Sequence, residues 1–146
     1  MPRFTRFTAR CATAFTVAAT VLPMPATAQE QGLTVELNKF EPAEDGGCRA
    51  FFLFRNETGK AFEGFAMSLA ILDGQGVIDR LLNIDAAPLP VARTTLKLFE
   101  IPQIACSDIS EILLHAIDSC QPQNEDNIDC FPLVKLVSRT TAPLVK

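Results

Sequence analysis

Residues 48–76 read CRAFFLFRNETGKAFEGFAMSLAILDGQG, and this stretch decides the fold. Cys48, Ala50, Phe52 and Phe54 fall on one face of an extended segment. Phe65, Met67, Leu69 and Ile71 repeat the pattern in the next one. A period of two is the spacing of a strand with one face buried. Asn56-Glu57-Thr58-Gly59-Lys60 separates the two segments as a turn. Asp73-Gly74-Gln75-Gly76 closes the second as a hairpin turn, where glycine supplies a positive φ at little cost.

Working outward, the same rhythm recurs about every ten residues. Leu33, Val35 and Leu37 alternate with polar neighbours before an acidic, Gly- and Pro-containing loop at 41–47. Residues 77–84, a proline-containing crossover at 86–92, and residues 94–101, 109–118 and 131–139 follow. Residues 109–117 (ISEILLHAI) have helical propensity, but their isoleucines and strand-like neighbours favour a strand. The expectation is an all-β, seven-stranded immunoglobulin-like β-sandwich.

The N-terminus carries Arg3, Arg6 and Arg10 and no acid through residue 28. A twelve-residue apolar run, Cys11–Leu22, leads to Pro23, Pro25 and Ala26-Thr27-Ala28. This order is that of a secretory signal peptide, and the run is short of the roughly 20 residues of a membrane span. The reading is a signal peptide at 1–28, cleavage between Ala28 and Gln29, and one domain at 29–146. No adjacent Arg-Arg pair is present, which favours the general secretory route. The destination is the periplasm of a bacterium, or secretion.

Cleavage removes three of the thirteen basic residues and leaves ten against seventeen acids, a formal charge of −7. That balance argues against nucleic acid and anionic lipid. No apolar run after residue 28 is long enough to span a membrane.

Four cysteines remain, Cys48, Cys106, Cys120 and Cys130. An even number in an exported chain implies two disulfides. In a sandwich of this kind the start of the second strand and the loop between the fifth and sixth lie at one end. Cys48 and Cys106 occupy those places. Cys120 and Cys130 flank the loop between the last two strands, at the other end. The expected pairs are therefore Cys48–Cys106 and Cys120–Cys130. Zinc would want closely spaced ligands, whereas the separations here are 58, 14 and 10 with a single histidine.

Residues 50–101 resemble the FxLYD-type domains, immunoglobulin-like modules of exported bacterial proteins. The resemblance rests on Phe54-Arg55-Asn56 ending a strand and on Leu69-Ala70-Ile71-Leu72-Asp73-Gly74 closing the next. Leu69 stands where the naming Phe would be, and Leu72 where the Tyr would be. The resemblance implies the fold and an adhesion, binding or accessory setting in the envelope.

Catalysis lacks parts: there is one histidine, no Tyr and no Trp, and no nucleophile-elbow, zinc-protease, P-loop or C-x-x-C pattern. A hydrolase of unfamiliar type would centre on His115 with Asp118 as its partner. The absence of Tyr and Trp disfavours sugar binding, and Met67 and His115, the one methionine and one histidine after residue 28, do not make a copper carrier. The loop at 118–130 holds four acids and two Asn within a dozen residues, an oxygen-rich segment that suits a Ca²⁺-binding or small-ligand module, although its spacing is not that of an EF-hand. No cofactor is implied.

Apolar excess is the remaining feature. Phe51-Phe52-Leu53-Phe54 is apolar on both faces, so Phe51 and Leu53 point away from a core filled by Phe52 and Phe54. Either the C-terminal tail (TTAPLVK) or a loop covers them, or they form a partner or self-association surface. The favoured function is that of a non-catalytic binding or accessory protein acting through protein–protein contacts, with an envelope protein such as a component of a transport or secretion machine as partner.

Overall fold

A computed structural model describes residues 31–146; the leader, Ala28 and Gln29 lie outside the described residues. Eight strands form two packed sheets: β1 (Leu33–Pro42), β2 (Cys48–Asn56), β3 (Phe62–Leu72), β4 (Ile78–Asp85), β5 (Arg93–Ile101), β6 (Glu111–Pro122), β7 (Val134–Ser138) and β8 (Leu144–Val145). One sheet has the order β5-β2-β1-β7 and the other β4-β3-β6-β8. Among the described residues no helix is long and apolar enough to cross a membrane.

The period-two pattern translates directly into the core. Phe52 and Phe54 from β2 face Phe65, Met67, Leu69 and Ile71 from β3, and all six are buried. The Phe54 and Phe65 rings meet edge to face at 6.1 Å, joining the two sheets through an aromatic contact. The turn at 73–76 is made by Asp73, whose Oδ1 accepts from the backbone N–H of Gln75 and Val77, and by Gly76 at φ +77°. Residues 111–122 are a strand despite their helical propensity, because β3 pairs with them along nearly its whole length.

Both disulfides are formed as the topology requires, Cys48–Cys106 with Cα atoms 4.9 Å apart and Cys120–Cys130 at 6.1 Å. The first ties the start of β2 to a 3₁₀ turn at Cys106–Asp108. Asn56 is a second staple. Its fully buried amide donates to the carbonyls of Lys60 at 2.7 Å and of Leu89 at 3.0 Å, and its Oδ1 accepts from Thr58 N and Oγ1. It thereby joins the β2–β3 turn to the crossover between the sheets.

The C-terminal region corrects the seven-strand expectation. Residues 131–133 form a 3₁₀ turn instead of starting a strand. Pro132 has no N–H to offer a ladder there. The chain then crosses to the first sheet, where β7 pairs in parallel with β1 and not with β6. The 120–130 loop is therefore a crossover and not a hairpin. β7 leaves the edge of β6 uncovered, and the tail returns to it: β8 pairs in parallel with Ile112 and Leu113. Ser138 Oγ and Thr140 Oγ1 both donate to Ala142 O at this reversal, and Ala142 and Leu144 are buried.

Candidate docking surface

The outward face of β2 carries Arg49, Phe51, Leu53 and Arg55, because the inward positions are taken by Cys48, Ala50, Phe52, Phe54 and Asn56. On one side lies β5, in a register that sets Phe51 opposite Leu98 and Leu53 opposite Leu96. Those leucines are 44% and 60% exposed, while Lys97 between them turns inward and donates to Ala87 O at 2.8 Å. Four apolar side chains thus form one block on the outside of a sheet. On the other side lies β1, with Lys39 opposite Phe51 and its ammonium 4.5 Å from the centre of the ring. Phe51 and Leu53 are half-buried by these neighbours and not by the tail, which is engaged on the opposite sheet.

Charged groups frame the block. Lys39 hydrogen-bonds Glu41 and lowers the pKa of its carboxyl from the ordinary value against an opposing effect of desolvation; Arg49, 3.7 Å away, adds to the lowering. Glu36 is nearly buried beside Leu53, where it accepts from Asn38 at 2.9 Å and faces Arg139 at 3.7 Å. An apolar centre with a charged rim is the composition of a protein-contact surface.

Leu96 and Leu98 were not singled out by sequence reasoning. The segment TLKLFEI alternates on both phases. The signal was the parity of Phe99 and Ile101: placing them inward places Lys97 inward and both leucines out. A second exposed apolar group, Val77, Ile78 and Leu81, lies on and before β4, again outside the sequence-based expectations.

The other sequence candidates are dispersed. His115 is exposed and occupies a β-bulge, where the β3–β6 register steps from Ser68↔Ala116 to Leu69↔Leu114. Asp118 occupies the next bulge, and its Oδ2 accepts from Ser68 Oγ at 2.6 Å. Among the described residues no hydrogen bond joins His115 to Asp118. In the acidic loop, Glu125 pairs with Lys60 at 2.6 Å, Asn127 Oδ1 accepts from Cys120 N at 2.7 Å, and Asp129 Oδ1 accepts from Phe131 N at 3.0 Å. Among the described residues no three acidic, histidine or cysteine side chains converge as a metal site.

No protein-family model matches the chain, and no curated protein matches it either. Among solved structures, IrmA from Escherichia coli is similar, with a TM-score of 0.56 and 12% identity over 72% of this chain and 90% of that one. At that identity the likeness establishes a shared fold and nothing further: the described residues form an eight-stranded, doubly disulfide-bonded β-sandwich that is similar in fold to IrmA.

Proposed function

We propose that this protein is a non-catalytic binding or accessory module of the bacterial envelope, exported by a signal peptide removed after Ala28 and acting through protein contacts. The observation that carries the reading is the block of Phe51, Leu53, Leu96 and Leu98. A solvated sheet face alternates apolar-in and polar-out, and here four apolar side chains in adjacent register break that rule with two leucines about half exposed. Export is supported by the charged leader and by two disulfides, which form and persist in oxidising compartments.

Two measurements test the two halves. Intact mass of the protein recovered from a periplasmic extract is expected to fit residues 29–146 less four protons, with a gain of four on reduction. Retention of residues 1–28 would contradict export. For the contact surface, Phe51→Ser together with Leu98→Ser is expected to abolish cross-linking to neighbouring proteins while leaving the melting temperature nearly unchanged. Cross-linking indifferent to that pair would remove the assignment.

A further inference from the structure

We propose that the occupant of this face is a second copy of the same chain, packed sheet against sheet about a two-fold axis that runs across the strands. The inference rests on the reading of β2 and β5 as a docking surface and adds the identity of what docks.

The face is polarised along its strands. One end carries Glu100, in register with Arg49, and the β1–β2 loop, whose Glu44 and Asp45 share a surface cleft with both. Glu44, Asp45 and Glu100 are exposed and make no salt bridge among the described residues. The other end carries Arg55, in register between Thr34 and Thr94, and Lys135, in register with Thr34 on its far side. Both cations are exposed and likewise unpaired among the described residues. The leucine block lies between the two ends.

A two-fold axis lying in the interface and across the strands reverses strand direction. It brings the basic end of one copy over the acidic end of the other and sets leucine on leucine at the centre. An axis along the strands would set Arg55 over the basic end of the other copy, which like charges oppose. The chosen arrangement is isologous and closes at two copies. It is also the face-to-face sheet packing that sandwiches use internally, at a spacing of about 10 Å. Edge-to-edge pairing through β5 is opposed by Lys97, since a lysine pointing inward from an edge strand blocks the approach of another strand.

Sedimentation equilibrium over a concentration series tests the proposal on the disulfide-bonded protein. The wild type is expected to fit a monomer–dimer equilibrium. Leu96→Ser with Leu98→Ser raises the dissociation constant by about tenfold or more. Arg55→Glu alone weakens the dimer, and Arg55→Glu combined with Glu100→Arg restores it. All of these side chains are exposed, and intact disulfides with an unchanged circular dichroism spectrum confirm that each variant is folded. A monomer at every concentration, or a dimer indifferent to the leucine variant, overturns the proposal. The docking reading fails separately: a monomer that still cross-links to another envelope protein through Leu98 removes only the second copy, and one that does not removes both.

Discussion

At the scale of single residues, the molecule is held by a few polar side chains in positions that no apolar residue could fill. Asn56 sits between a turn and a crossover and satisfies backbone carbonyls from each. In Asn56→Leu the carbonyl of Leu89 keeps the Phe62 N–H at 3.0 Å, but the carbonyl of Pro90 loses its side-chain donor and the Thr58 N–H its acceptor, and an unsatisfied buried polar group costs about 1–3 kcal/mol. Urea titration is therefore expected to show a loss of roughly 2–4 kcal/mol, the largest for any single polar substitution in the fold. Gly76 offers a cleaner case. A Cβ added there meets nothing within 4 Å, so Gly76→Ala acts through its φ of +77° alone. The expected cost is about 1 kcal/mol, read from the same titration. Both residues were legible as turn punctuation. The particular partners of Asn56 were not, because Leu89 and Pro90 are more than thirty residues away. In the 118–130 loop the side chains of Asn127 and Asp129 already accept backbone N–H groups. Calcium is accordingly expected to leave the melting temperature unchanged, and a rise that disappears in Asp126→Asn would reinstate the metal-binding alternative.

At the scale of elements, the sequence speaks clearly where a strand has one buried face and falls silent where position depends on a distant neighbour. β2 and β3 were legible to the residue, since Phe52, Phe54, Phe65 and Met67 can share a core in only one phase. β5 was legible as a strand but not in phase. Its leucines compete with Phe99 and Ile101, and the choice is made by pairing with β2. β7 was expected as a strand over 131–139 that followed β6 in a hairpin, and β8 was not expected as a strand at all, because nothing local shows that the chain changes sheets after Cys130. The two-residue β8 has a measurable role: Leu144 covers the start of β6 beside the buried Ile112. Leu144→Ala is expected to destabilise the fold by about 2 kcal/mol, at the low end for a buried leucine because the site is at an edge. Hydrogen exchange at Ile112 N, which donates to Pro143 O, should accelerate in that variant before the centre of β3 does. Equal acceleration throughout would mean that β8 is integral to the core and not a cap on it.

At the scale of the whole molecule, two disulfides and one sandwich core support the sheet whose outward side carries Phe51, Leu53, Leu96 and Leu98. Cys48–Cys106 closes a loop of 58 residues and Cys120–Cys130 one of 10. In the chain-entropy account their removal costs about 4 and roughly 2–3 kcal/mol, respectively. Chemical denaturation of the paired Cys→Ala variants should therefore rank the first as the more damaging. The proposed accessory role and the proposed docking face meet in one testable place, the outward side of β2 and β5. A photo-cross-linking amino acid placed in living cells at Leu98, at Phe51 and, as a control on the opposite sheet, at Asn83 interrogates that place directly. The account predicts discrete products from Leu98 and Phe51, among them a species of twice the mature mass, and none from Asn83. Products from Asn83 alone, or none from any position, would contradict it.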